Sequence, residues 1–185
     1  EIFSKVKVKS GTSIKSIFDQ FVAAGWTGEY QEFHVLNAQL ANQIYGQIPI
    51  TPGLNEIIDG LVGAKYIVGI VSSSPAEWVE MLISRLPSRA KITVVVSVNN
   101  HPSLLPKPSP DPYMYAMKEL GVDSSNTIVL EDSQTGVTSA KTAGARVICF
   151  TRYNHGYDWQ SKPANADYYA NTMEEVGEIV SKISL

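Results

Sequence analysis

Between Ile48 and the end of the chain, short apolar runs alternate with segments of helical periodicity, and no other feature of the sequence constrains the fold as strongly. Strands that alternate with amphipathic helices are typical of a parallel sheet covered by helices on both faces. The strand candidates lie at 66–71, 92–98, 127–131, 146–150 and 167–169. The sequence therefore predicts an α/β fold built on a doubly wound, Rossmann-like sheet.

The segments between the strand candidates carry apolar stripes at helical spacing, which we interpret as faces packed on the sheet. These stripes consist of Leu54, Ile57, Ile58 and Leu61; of Trp78, Val79 and Leu82; and of Tyr113, Met114 and Met117. A last helix is predicted to begin at the capping-box pattern formed by Thr172 and Glu175.

The beginning of the chain is organised differently. Apolar residues recur at helical spacing in two segments, 14–22 behind a Ser13 cap and 33–44 after Thr27. This pattern breaks at 48–53, where two prolines and a glycine occur. We therefore predict a small helical domain at 1–47 and an α/β core at 48–185.

Charge and cysteine content argue against several classes of function. The chain of 185 residues has 15 Lys and Arg against 18 Asp and Glu, and its net charge of −3 does not favour nucleic acid or an anionic membrane as a partner. The single cysteine, Cys149, lies in an apolar run and is predicted to be buried. No stretch resembles a signal peptide or a membrane span, so we expect a cytoplasmic protein, which we take to be a monomer.

Polar residues follow three of the apolar segments, at the sheet edge where ligands of open parallel sheets bind. Ser72, Ser73 and Ser74 follow the first strand candidate and precede a helix, so their hydroxyl and N–H groups can bind a phosphate. The alternative is that these serines only cap their own helix. Lys107 lies in a proline-rich loop and can hold a phosphoryl oxygen, although most lone loop lysines are solvated.

Two adjacent acids, Glu131 and Asp132, end the third strand candidate. Paired carboxylates in such a place suit a hard divalent cation, most plausibly Mg²⁺, which prefers oxygen ligands. The alternative is that Asp132 caps the helix that follows.

Taken in order, these three segments resemble the second, third and fourth motifs of the haloacid dehalogenase superfamily, in the branch of beta-phosphoglucomutase and sugar-phosphate phosphatases. The segments are 72–74, 107–111 and 131–137, and the resemblance extends from about residue 11 to the C-terminus. It implies that Ser72 and Ser73 bind the transferring phosphoryl group and that Lys107 bridges this group to the nucleophile. It also implies that Asp132 and Glu131 hold Mg²⁺.

The resemblance further implies that residues 1–47 are the remainder of a helical cap that closes over the substrate. Lys9, Gly11 and Ser13 would fall in the cap loop that faces the substrate. The implied function is magnesium-dependent hydrolysis or transfer of phosphate on a small phosphorylated metabolite, such as a sugar phosphate, through an aspartyl-phosphate. Phosphatase is favoured over phosphomutase because phosphatases are more numerous in the branch.

The first motif of the superfamily, a strand that ends in Asp-x-Asp and supplies the nucleophile, has no match in this sequence. The start of the chain instead carries alternating lysines at 5–9, a pattern typical of a solvated edge. The resemblance places the missing strand at the centre of the sheet, between the strands that end near Val71 and Glu131. We therefore expect an upstream segment that carries it, and an inactive chain without that segment.

Two other functions compete with phosphate transfer. One is a non-catalytic phosphate-binding or regulatory protein that has lost the nucleophile, and an upstream Asp-x-Asp would exclude it. The other is a dehalogenase, which shares the core but needs no Mg²⁺, and the pair Glu131 and Asp132 argues against it.

Overall fold

A computed structural model of the chain describes residue 6, residues 14–153 and residues 165–183. Lys9, Gly11 and Ser13 lie outside the described residues, as does the alternating lysine segment apart from Val6. The chain divides into two compact units, Glu1–Ile48 and Pro49–Leu185. No helix in the described ranges is long and apolar enough to cross a membrane.

The first unit contains two helices, α1 (Ile14–Ala23) and α2 (Tyr30–Gln47). Aromatic rings hold these helices together: the Phe21 and Phe33 centroids lie 5.3 Å apart, and both side chains are buried. The apolar stripe predicted for the second helix turns out differently, because Phe33 is buried whereas Leu36, Leu40 and Ile44 are exposed. Among the described residues of this unit, α1 is the one helix that packs against α2, and a single neighbour covers only part of a helix.

The second unit consists of parallel strands and the helices that connect them. The strands are β1 (Val68–Ser72), β2 (Ile92–Ser97), β3 (Ile128–Glu131), β4 (Arg146–Phe150) and β5 (Tyr168–Ala170). The helices are α3 (Leu54–Gly63), α4 (Ala76–Ile83), α5 (Asp111–Leu120), α6 (Gln134–Thr142) and α7 (Met173–Lys182). All five strand predictions are confirmed, with ends that differ by no more than two residues.

The helices cover both faces of the strands, as the predicted α/β class requires. On one face α5 and α6 pack over β3 and β4, and this cluster includes Cys149, which is fully buried as predicted. On the other face lie α3, α4 and α7. The predicted packing of the α5 stripe on the sheet is wrong for one residue. Met114 is 55% exposed, because Tyr113 and Met117 occupy the buried face of the helix.

The strands form two separate sheets, one with the order β2-β1 and one with the order β3-β4-β5. Within the described residues no strand pairs with both β1 and β3 to join the two sheets. An apolar groove of about 750 Å³ occupies this place, and side chains of β1, β3, α3, α5 and α7 line it. No residue of β1 is fully buried, and Leu130 of β3 is 38% exposed. One edge of β1 and one edge of β3 therefore have no neighbouring strand in the described part of the chain.

Because the groove leaves apolar side chains exposed to water, we predict that the 185-residue chain alone is molten or prone to aggregation. Each Å² of apolar surface left in water costs about 25 cal/mol, and a few hundred Å² offset much of the stability of a typical domain. We expect a peptide that carries the missing strand to produce a cooperative thermal transition in calorimetry. The same peptide with a central proline, which cannot complete the hydrogen-bond ladder, should not do so. A sharp, reversible transition of the chain alone, unchanged by the peptide, would contradict this prediction.

Candidate active site

The loop before α5 brings Lys107 across the groove, where its ammonium group contacts both sheets. Lys107 Nζ donates to the backbone carbonyl of Val71 in β1 at 3.2 Å and to Glu131 Oε1 at the end of β3 at 2.5 Å. The Lys107 side chain is 10% exposed and the Glu131 side chain 7%, so the two form a buried ion pair. The structure therefore brings together two of the predicted site residues, next to the strand end that carries Ser72.

The Glu131 carboxylate accepts hydrogen bonds on both oxygens. Oε1 accepts from Lys107 and from the hydroxyl of Tyr113. Oε2 accepts from the Asp132 N–H and from the Ser133 hydroxyl, each at 3.2 Å. A buried carboxylate is stable only if it is paired and hydrogen-bonded in this way. These contacts fix the position of the Glu131 carboxylate.

Gly136, in the first turn of α6, lies directly against the Glu131 carboxylate. A Cβ atom at this position would overlap all three atoms of the carboxylate group. The glycine is therefore required by the close approach of a charged side chain to the helix backbone.

Tyr113 is a site residue that the sequence reasoning missed, because its position fits an apolar helix stripe. Its hydroxyl accepts from Lys107 Nζ at 3.0 Å and donates to Glu131. Burial, followed by the negative charge of Glu131, raises the pKa of Tyr113 far above its usual value, so the hydroxyl keeps its proton. The sequence offered one indication of this role, the residue type, since the hydroxyl of a buried tyrosine usually has a hydrogen-bond partner.

Asp132 lies beside this buried cluster but remains exposed to solvent. Its pKa is raised by partial desolvation and then by the charge of Glu131, while water at the exposed surface screens both effects. The alternative role of Asp132 as a helix cap is wrong, because Ser133 is the N-cap of α6 and its hydroxyl accepts from the Gly136 N–H at 3.0 Å. The Asp132 carboxylate is therefore available to a ligand.

The three serines at the end of β1, Ser72, Ser73 and Ser74, do not cap α4 with their side chains. The Ser72 hydroxyl accepts from the Ser74 N–H at 3.1 Å, and the exposed Ser73 lies between them. Asn100, from the loop after β2, accepts from the Ala76 N–H at 2.9 Å at the start of α4. The cap alternative is therefore not realised, and the hydroxyl hydrogen of Ser72 remains able to donate.

Glu131 and Asp132 are two carboxylates, fewer than a complete protein cage for a metal ion requires. Within the described residues, no group of three or more His, Cys, Asp or Glu side chains could hold a metal ion. Magnesium is commonly bound by one or two carboxylates together with substrate phosphates and water. The exposed carboxylate of Asp132, next to Glu131, fits that smaller requirement.

The sequence matches the family model described as "Haloacid dehalogenase-like hydrolase" over residues 4–150. The match covers most of the chain, and the alternation of parallel strands and helices is the fold of such hydrolases. The chain belongs to the haloacid dehalogenase-like hydrolase family.

Its relatives include enzymes named as phosphatases. Phosphoglycolate phosphatase of Nitrosococcus oceani is 24% identical over 186 residues, which cover 97% of this chain and 81% of that protein. Hexitol phosphatase B of Escherichia coli (strain K12) is 30% identical over 100 residues, which cover 54% of this chain and only 44% of that protein. A solved structure of a predicted phosphoglycolate phosphatase from Haemophilus somnus 129pt has a TM-score of 0.79 at 18% identity, over 97% of this chain and 81% of that chain.

The buried pair predicts that Lys107→Met is strongly destabilising. Removing one partner of a buried ion pair leaves an uncompensated charge and costs about 3–5 kcal/mol, whereas an exposed pair contributes about 0–1 kcal/mol. The matched control is Lys141→Met, which breaks the more exposed ion pair with Asp167. Both free energies of unfolding can be measured in urea with the strand peptide bound. Equal losses in the free energy of unfolding of the two variants would contradict this prediction, because the buried pair would then stabilise the protein no more than the exposed pair.

Proposed function

We propose that this chain is the larger part of a magnesium-dependent phosphatase that acts on a small phosphorylated metabolite, such as a sugar phosphate. The observation that carries the proposal is the position of Lys107. Its ammonium group is held at the carboxyl ends of β1 and β3, beside the serine loop and the acidic pair. The family membership and the names of the relatives support the reaction class.

In the proposed reaction Ser72 and Ser73 bind the phosphoryl group. The Ser72 hydroxyl can donate to a phosphoryl oxygen, because the hydrogen bond that it makes within the described residues is one that it accepts. Lys107 offsets the negative charge of the phosphoryl group and bridges it to the nucleophile. Electrostatic stabilisation by fixed donors is the main contribution that a protein makes to phosphoryl transfer.

We assign the magnesium ion to Asp132 and Glu131. Asp132 is the more direct ligand, since Glu131 contributes an oxygen only if it exchanges one of its internal hydrogen bonds for the ion. When bound, magnesium supplies positive charge that neutralises phosphoryl oxygens. The residues of this chain orient the phosphate and hold the compensating charges in place.

The nucleophile of the proposed reaction is an aspartate outside these 185 residues, on a strand that fills the groove between β1 and β3. The apolar lining of the groove, and the edges of β1 and β3 that have no partner strand among the described residues, support this location. Its carboxyl end would lie at the same sheet edge as Lys107 and Ser72. We further propose that residues 1–47 belong to the substrate-covering cap, with Lys9, Gly11 and Ser13 near the substrate, and that residues 48–185 form the catalytic core.

A second candidate function is phosphate binding without catalysis, in a relative that has lost the nucleophile. The absence of an Asp-x-Asp segment from these residues favours it. The reading frame upstream of Glu1 distinguishes the two functions, because only the phosphatase requires that motif there.

Magnesium binding is expected to depend on Asp132. Asp132→Asn, in the protein made from the full reading frame, should weaken binding more than about tenfold in isothermal titration calorimetry with magnesium chloride. Asp123→Asn, at an exposed aspartate away from the cluster, serves as the control. Because the pKa of Asp132 is raised, wild-type affinity should begin to fall at a higher pH than an ordinary aspartate with a pKa of about 3.9 would give. If Asp132→Asn binds magnesium as tightly as the wild-type protein, the assignment of Asp132 as a magnesium ligand is wrong.

The purified 185-residue chain is expected to release no phosphate from sugar phosphates above background. Its residues only position charge, and the proposed transfer needs a nucleophile that they do not include. Phosphate release can be followed with and without magnesium. Sustained magnesium-dependent release that Lys107→Ala abolishes would contradict the prediction, whereas release that Lys107→Ala retains identifies a contaminating phosphatase.

A further inference from the structure

We propose that the Tyr113 hydroxyl is a positioning group that holds the Lys107 ammonium at the phosphate-binding edge. The inference rests on the proposed function, because it assigns a role to the lysine of that site. The hydroxyl, Lys107 and Glu131 form a closed hydrogen-bonded ring, in which each group contacts the other two.

All three N–H donors of the Lys107 ammonium have partners in the protein. They are the Val71 carbonyl, the Tyr113 hydroxyl and Glu131 Oε1. An ammonium group has no further donor, so Lys107 can bind a phosphoryl oxygen only by releasing one of these contacts. The Val71 contact, at 3.2 Å, is the longest and the one that a phosphate is expected to replace.

Tyr113 can keep the ammonium in place during that exchange. Its side chain is 6% exposed and packs in the core beneath α5, so its hydroxyl is fixed by the fold. The ammonium also lies 4.7 Å from the centre of the Tyr113 ring, within range of a cation–π interaction. Lysine, by contrast, is a flexible chain of four methylene groups. Without the hydroxyl, Glu131 would be the remaining partner of the Lys107 ammonium once phosphate had replaced the Val71 carbonyl. Glu131 would itself lose the hydrogen bond that Tyr113 donates.

The test compares Tyr113→Phe with Tyr115→Phe. Both remove one hydroxyl from the same helix, but the Tyr115 ring packs on His101, away from the ion pair. The first measurement is the NMR signal of the Lys107 ammonium hydrogens, without ligand, in the protein made from the full reading frame and labelled with ¹⁵N-lysine. Restricted, hydrogen-bonded ammonium hydrogens should give a protected signal, which Lys107→Ala assigns. The second measurement is the affinity for inorganic phosphate, and the thermal midpoint of each variant checks that it folds.

We expect Tyr113→Phe to lose the protected signal and to bind inorganic phosphate roughly three- to tenfold more weakly, while Tyr115→Phe changes neither. A full-length Tyr113→Phe protein that keeps both signal and affinity would overturn the inference, as would a full-length wild-type protein with no protected Lys107 signal. If Tyr113→Phe loses the signal but the wild type does not bind phosphate, the positioning role stands and the proposed function fails. The two failures are therefore distinguishable.

Discussion

The buried ion pair between Lys107 and Glu131 is the constraint on which the rest of the site depends. It joins the loop before α5 to the end of β3, and the additional contact with Val71 extends it to β1. Charges of this kind are tolerated in an interior only when they satisfy each other. The pair therefore holds the loop before α5 against the end of β3, with the Tyr113 hydroxyl bonded to both charged groups.

The same pair crosses the place where the two sheets separate. Backbone hydrogen bonds connect β1 to β2 and β3 to β4, but none joins β1 to β3 in the described residues. At the carboxyl ends of these strands, polar contacts from Lys107 connect the two sides, and elsewhere the connection is made by α3, α5 and α7, which line the groove. The two sheets are thus connected by helices and by Lys107, while no strand joins β1 to β3 in the part of the chain that the structure describes.

The sequence predicted the strands and the polar strand ends because both depend on local pattern. Apolar runs located β1 to β5, and residues directly after the runs located Ser72 and Glu131. Contacts between distant segments were not predictable in this way. Periodicity placed Tyr113 and Met114 on one stripe, but only packing decides which of the two is buried. Asn100 caps α4 from another loop, a pairing with no local signal.

Gly136 has a consequence for the way sequence variants of this protein are interpreted. The residue carries no functional group, yet the Glu131 carboxylate occupies the space where its side chain would be. Alanine at this position would displace Glu131, and with it the partner that neutralises Lys107, while every polar residue of the site remained present in the sequence. A gene that keeps every charged and hydroxyl residue of these motifs can therefore encode a defective site, and a survey that scores only such residues would count it as functional.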